Sequence, residues 1–127
     1  MNAQKKTILI VDDEPQILLM VSTRLQANEY DVVTALSGAE GIEKAKKQMP
    51  DLVLLDLVMP EMDGEEVLRC LKQEPATQKI PVIIFTADTR RVKVREHQMR
   101  GAADCLFKPF VAEELLSKVH KILGPAV

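Results

Sequence analysis

Cysteine is scarce in this chain of 127 residues, which contains only Cys70 and Cys105. The two residues form no CxxC pair and have no zinc-ligand spacing, so the sequence argues against a disulfide scaffold or a structural zinc site. We interpret both as buried free thiols of a reducing compartment. Long apolar runs are also missing, since the run TILIV near the N-terminus is interrupted at once by DDE. We therefore expect no signal peptide, no membrane insertion and a cytoplasmic location.

Aromatic residues and a surplus of basic charge are lacking as well. Aromatic side chains make up 3% of the chain, and the first apolar run is followed by acidic residues in place of a glycine-rich phosphate loop. Both features disfavour a flavin- or nucleotide-binding module. The 17 basic and 19 acidic residues give a net charge of -2, so we expect no direct contact with nucleic acid. The length and the ordinary apolar content predict one domain over residues 1–127, with a core at about 6–123.

Five short apolar runs rich in branched residues predict five β-strands. They read TILIV (7–11), VVTAL (32–36), LVLL (52–55), VIIF (82–85) and ADCLF (103–107). Their hydrophobicity is continuous and does not alternate, which is typical of strands buried on both faces of a parallel sheet. Helical patterns separate the runs, so the sequence predicts a doubly wound α/β domain with right-handed crossovers and five helices.

The starts of these helices carry recognisable signals. Pro15 indicates the first helix, and capping-box pairs indicate the second (Ser37 and Glu40) and the third (Asp63 and Glu66). The fifth helix is predicted to bury one face, made of Val111, Leu115, Val119 and Ile122. The fourth, at about 89–100, has few apolar residues in poor register, and we expect it to be loosely held.

Polar side chains follow four of the five predicted strands. Asp12 and Asp13 follow the first strand, Asp56 the third, Thr86 the fourth and Lys108 the fifth. Because ligands of open parallel sheets bind at the carboxyl ends of the strands, we expect these side chains to meet. Three converging carboxylates repel one another unless a hard divalent cation lies among them, and Mg²⁺ is the natural candidate.

Such a pocket can receive a phosphoryl group. Magnesium keeps coordination places for phosphoryl oxygens, Lys108 offers a positive charge and Thr86 a hydrogen bond. An aspartate can itself be the nucleophile, and Asp56 ends the most apolar run, so we predict that Asp56 becomes phosphorylated. Simpler interpretations exist for each residue: Asp13 could cap the first helix, and Thr86 or Lys108 alone would indicate nothing. Their joint occurrence at successive strand ends favours a site.

Four segments of the chain resemble the motifs of response-regulator receiver domains of two-component signalling. These segments are ILIVDDEP, LLDLVMPEMDG, PVIIFTA and GAADCLFKPF, and the resemblance covers nearly the whole chain. It implies a flavodoxin-like fold with strand order 2-1-3-4-5. It also implies a role for each site residue: phosphoacceptor for Asp56, magnesium ligands for Asp12, Asp13, Asp56 and the Val58 carbonyl, switch hydroxyl for Thr86, and phosphate-binding lysine for Lys108, with a cis Lys108–Pro109 bond.

The resemblance further implies partners and a signalling role. A histidine kinase or histidine phosphotransfer protein would donate the phosphoryl group, and the domain would catalyse only its own phosphorylation and dephosphorylation. A downstream protein would bind through the fourth helix, the fifth strand and the fifth helix. Asp88 is expected to orient the hydrolytic water. The family usually has Tyr or Phe where this chain has Cys105, so we expect the switch to centre on residues 86–101.

Two other interpretations stay open. The chain could be a receiver module excised from a larger response regulator or hybrid kinase, since GPAV at 124–127 could begin a linker. Less favoured is an aspartate-nucleophile phosphatase. Enzymes of that class generally need a second aspartate two residues after the nucleophile, and this chain has Val58 there.

Overall fold

The computed structural model describes residues 5–87 and 101–124, and within them five parallel strands form one sheet. The strands are β1 (Thr7–Val11), β2 (Asp31–Ala35), β3 (Leu52–Asp56), β4 (Val82–Thr86) and β5 (Asp104–Phe107). Their spatial order is β2-β1-β3-β4-β5. The predicted doubly wound, flavodoxin-like fold with strand order 2-1-3-4-5 is therefore confirmed.

Helices cover both faces of this sheet. In the described ranges they are α1 (Pro15–Ala27), α2 (Gly38–Gln48), α3 (Gly64–Gln73) and α4 (Ala112–Leu123), the last of which is the fifth helix of the sequence prediction. The predicted fourth helix, at about 89–100, and Asp88 lie outside the described residues. No helix among the described residues is long and apolar enough to cross a membrane.

The sheet separates two hydrophobic cores. The first core lies under α2 and α3 and includes Leu9, Val53 and Ile84 of the strands. The second core lies under α1 and α4 and takes the alternate strand residues, such as Ile8, Leu54 and Ile83. Each central strand therefore buries both of its faces, which explains the continuous apolar runs. Removal of this apolar surface from water is the main favourable term in folding.

Side-chain caps start α2 and α3 where the sequence predicted them. The Ser37 hydroxyl accepts a hydrogen bond from the Glu40 N–H at 3.2 Å, and the Glu40 carboxylate accepts one from the Leu36 N–H at 2.8 Å. At α3, the Asp63 carboxylate accepts from the Glu65 N–H at 3.2 Å. Each cap satisfies a backbone donor that the helix itself leaves without a partner.

The prediction that Val111 belongs to the buried face of α4 is wrong. Val111 precedes the helix as its N-cap, in an extended conformation, and the residue is 63% exposed. An extended residue does not continue the helical rotation, so its side chain leaves the stripe. Leu115 and Val119 are buried as predicted, and Ile122 is partly buried against the second core.

Candidate functional site

Asp12, Asp56 and Lys108 meet at the carboxyl end of the sheet. Asp12 follows β1 and is fully buried, and Asp56 is the last residue of β3 and 4% exposed. The Lys108 ammonium donates to Asp12 Oδ2 at 2.7 Å and to Asp56 Oδ2 at 3.3 Å. Its Nζ also lies 3.8 Å from Glu14 Oε1. Residues 96 positions apart in the chain thus form one hydrogen-bonded group.

Strand register causes this convergence. Val11 pairs with Leu55, so the two residues that follow them, Asp12 and Asp56, lie side by side on strands about 4.8 Å apart. On the side of β3 away from β1, the Lys108 N–H donates to the Thr86 carbonyl at 2.8 Å and extends the β4–β5 ladder beyond Phe107. Lys108 is therefore held at the same edge of the sheet as the two acids.

The acidic cluster, defined as Asp12, Asp13 and Asp56, has the composition of a cation site. One carboxylate oxygen from each residue lies within 4.8 Å of the others. Asp12 Oδ1 accepts from the Glu14 N–H at 2.9 Å, and Asp56 Oδ1 accepts from the Val58 N–H at 3.2 Å. Across residues 5–87 and 101–124, the half-buried Asp13 carboxylate makes no hydrogen bond or ion pair. One ammonium against three carboxylates leaves negative charge to balance, and an oxygen donor set of this kind suits a hard divalent cation.

Burial shapes the electrostatics of the site. Burial raises the pKa of the Asp56 carboxyl, and the neighbouring Asp12 adds to the rise, whereas the Lys108 ammonium and the Val58 N–H oppose it. Burial alone would lower the pKa of Lys108, but the hydrogen bond to Asp12 and the charges of Asp56 and Asp12 outweigh it, so that pKa is raised. Lys108 therefore stays protonated at neutral pH and compensates charge that would otherwise be costly to bury.

Phe85 and Glu14, which were not predicted as site residues, lie next to the Lys108 ammonium. The ammonium lies 4.8 Å from the centre of the Phe85 ring, which in turn packs edge-on against Phe110 at 6.3 Å. Phe85 is the register partner of Asp56 on β4. Glu14, the third acid of the DDE run, flanks the same ammonium. The acidic run DDE could have indicated that Glu14 belongs to the site. No local pattern could have indicated Phe85, because the position of its ring depends on strand pairing.

The remaining predicted residues lie at the same edge. Thr86 ends β4, one residue beyond the partner of Asp56, and is 1% exposed. The Val58 backbone reaches the site through the hydrogen bond that its N–H donates to the Asp56 carboxylate, and the residue is 47% exposed. The coordination of a metal by the Val58 carbonyl stays a prediction. The Lys108–Pro109 bond is cis, as predicted.

Known proteins resemble this chain in sequence and in fold. The family model described as the response regulator receiver domain matches residues 8–120. PilH of Pseudomonas aeruginosa is 35% identical, over 92% of this chain and 97% of that protein. The solved structure of the chemotaxis protein CheY4 of Vibrio cholerae has a TM-score of 0.87 and 34% identity, and the match covers 94% of this chain and 99% of that one.

Longer proteins also match. The alkaline phosphatase synthesis transcriptional regulatory protein PhoP of Bacillus subtilis is 39% identical over 93% of this chain, which spans 48% of that protein. The hybrid signal transduction histidine kinase D of Dictyostelium discoideum is 34% identical over 94% of this chain, which spans 8% of it. The family match over most of the chain, together with the shared fold, shows that the chain belongs to the response-regulator receiver domains and is a phosphoacceptor of two-component signalling.

Proposed function

We propose that Asp56 is the residue that accepts the phosphoryl group, and that its phosphorylation switches the binding of a downstream protein. The observation that carries this proposal is the position of Asp56. Its carboxylate is buried at the end of a central strand, within 3.3 Å of the Lys108 ammonium and within the acidic cluster. A carboxylate in such surroundings costs free energy, and groups whose pKa is shifted by burial and by charged neighbours concentrate at functional sites.

Each residue of the site has its own role in the transfer of the phosphoryl group. A carboxylate oxygen of Asp56 attacks the phosphorus of a phosphohistidine on a histidine kinase or histidine phosphotransfer protein, and the phosphorus–nitrogen bond breaks with its electron pair left on the imidazole. Lys108 presents its charge to the phosphoryl oxygens, and the Thr86 hydroxyl donates to one of them. Asp12, Asp13, Asp56 and the Val58 carbonyl would hold Mg²⁺. When bound, this ion neutralises charge that develops on the phosphoryl group.

The domain then catalyses only its own phosphorylation and dephosphorylation. The aliphatic side chain of Val58, two residues after Asp56, offers no acid or base for turnover of a separate substrate. This weighs against the alternative of a small-molecule phosphatase. Water that reaches the phosphoaspartate ends the signal.

The wider setting of the domain is also part of the proposal. The matches that span only part of longer regulators and of a hybrid kinase support a receiver module excised from a larger protein as the alternative to a free-standing one. The downstream partner would bind through residues 89–100, β5 and α4. We propose no direct contact of this domain with nucleic acid, no membrane insertion and a cytoplasmic location, in which Cys70 and Cys105 stay free thiols.

Phosphoryl incorporation into three proteins tests the assignment. The unmodified chain, Asp56→Asn and Asp51→Asn are incubated with Mg²⁺ and a small phosphodonor, and intact mass is recorded. Asp51 is the matched control because it lies just before the opposite end of β3, where its carboxylate accepts from the Thr7 N–H at 2.8 Å. We expect one phosphoryl group on the unmodified chain and on Asp51→Asn, and none on Asp56→Asn. Equal labelling of all three would refute the assignment.

A further inference from the structure

Phe85 forms the boundary between the second core and the charged site. It is 2% exposed and belongs to that core, together with Ile83 on its own strand and Leu54 on the neighbouring strand. Because side chains alternate along a strand, Asp56 points to the same face of the sheet as Leu54. Phe85 is the register partner of Asp56. The phenyl ring and the Asp56 carboxylate therefore extend from adjacent positions toward the same side of the sheet.

The Lys108 ammonium lies over this ring in a site that is largely closed to water. Its Nζ is 4.8 Å from the ring centre, and the Lys108 side chain is 11% exposed. A cation within about 6 Å of a ring centre is attracted by the negative face of the ring, more strongly where water does not compete. The Phe85 ring is itself held by packing, since Phe110 lies edge-on against it with ring centres 6.3 Å apart.

The contact with the ring differs from the other contacts of Lys108 because it does not depend on the charge of Asp56. The ammonium donates to Asp12 at 2.7 Å and to Asp56 at 3.3 Å. Phosphorylation turns the Asp56 carboxylate into an uncharged acyl group, which is a weaker acceptor. A lysine side chain is long and flexible, and its ammonium is strongly hydrated, so the loss of one partner frees it to move. The attraction of the Phe85 ring persists throughout the transfer.

We propose that Phe85 is a positioning residue for phosphoryl transfer, and that its ring holds the Lys108 ammonium where the phosphoryl oxygens arrive. This role rests on the proposed function of Asp56 and Lys108. A carboxylate in place of the ring would add negative charge beside the incoming phosphoryl group and would accept an ammonium N–H. The ring attracts the same cation without either effect. It fixes the position of the charge and leaves the N–H groups free to donate to phosphoryl oxygens.

Fluorination of the ring tests this role, because fluorine withdraws negative charge from the ring face with little change in ring shape. Phe85 is replaced by monofluoro- and by trifluorophenylalanine. The same replacements at Phe110 are the matched control, because that ring packs against Phe85 whereas the ammonium lies over Phe85. The rate of phosphoryl incorporation from a small phosphodonor is measured at saturating Mg²⁺. We expect this rate to fall stepwise with fluorination at Phe85, about tenfold in the trifluorinated protein, and to change less than about twofold with fluorination at Phe110.

Two natural substitutions separate positioning from packing. Phe85→Leu keeps an apolar side chain but has no ring face, and we expect it to slow phosphorylation at least about tenfold and to weaken the binding of beryllofluoride, a stable phosphoryl mimic, by a similar factor. Ile83→Val is its control, since Ile83 lies two residues earlier on the same face of β4 in the second core. It should lower the midpoint of urea unfolding and leave both the rate and the binding of beryllofluoride unchanged.

The possible outcomes distinguish this role from the proposed function. A rate that does not depend on the number of fluorines at Phe85 would overturn the inference, and so would an equal effect of fluorination at Phe110. If the rates of all variants, including Ile83→Val, simply follow their urea midpoints, Phe85 acts through packing alone and the inference also fails. If the unmodified chain takes up no phosphoryl group at Asp56, the proposed function itself fails.

Discussion

Gly64 offers a sharp test of how the packing of α3 positions the phosphoacceptor. It is the first residue of α3, and its N–H donates to the Leu57 carbonyl at 2.9 Å. A Cβ atom at this position would collide with the Asp56 carbonyl oxygen, and would lie 2.6 Å from Leu57 Cα and 2.9 Å from the Asp56 carbonyl carbon. These are backbone atoms of a central strand and of the residue after it, so no side-chain rotation can relieve the contacts.

The structure allows the cost of Gly64→Ala to be estimated. Overpacking of a tight interior typically costs about 1–3 kcal/mol, and the upper end applies here because backbone must move. For a chain of this length, 1 kcal/mol corresponds to roughly 4 °C, so the midpoint of thermal unfolding should fall by about 12 °C. The displaced carbonyl belongs to Asp56 itself. Since a misplacement of about 1 Å can cost roughly 100-fold in rate, phosphorylation should slow by at least about tenfold.

Gly38→Ala is the matched control for this prediction, because Gly38 is the first residue of α2. Its new Cβ would meet side-chain atoms, Val67 Cγ2 at 2.6 Å and Met62 Cβ and Cγ at 3.1 Å. We expect a loss of about 1 kcal/mol and an unchanged rate of phosphorylation. Thermal unfolding, urea unfolding and the rate of phosphoryl incorporation are measured for both variants. A rate for Gly64→Ala equal to that of the unmodified chain would show that this contact does not position Asp56.

Three further predictions concern a helix end, a charged cap and the cation site. Met49→Gly should stabilise the protein by about 0.5 kcal/mol in urea unfolding, because Met49 ends α2 with φ of 48° and glycine adopts that conformation without strain; a lower midpoint would contradict this. The Leu36 N–H and Lys44 lower the pKa of Glu40, so its charge contributes stability above the ordinary value of 4.5 that is lost as the pH falls through the folded-state pKa. The small gap in urea midpoint between the unmodified chain and Glu40→Gln should therefore close in acid, and a gap independent of pH would refute the cause. Asp13→Ala should weaken Mg²⁺ binding by at least about tenfold in calorimetric titration, whereas equal affinity would remove Asp13 from the cation site.

Much of the fold was predictable because its signals are local. The run TILIV coincides with β1, and LVLL and VIIF with β3 and β4 to within one residue. Ser37 and Asp63 cap helices at the predicted places, since a cap depends only on the residue and the turn that follows it. The order of the strands and the residues at their carboxyl ends then followed from the family pattern and from the general rule for parallel sheets.

The tertiary structure alone decided which of those residues touch. Lys108 bonds to Asp12 across 96 positions, and Phe85 lies beneath it, because four strands, β1, β3, β4 and β5, pair in one particular register. The same register sets Phe107 opposite Thr86. Pairing between strands depends on chain segments far apart in sequence, and a shift of one residue would turn every side chain to the other face. No local pattern in the sequence contains that information, whereas the folded sheet fixes it at every position.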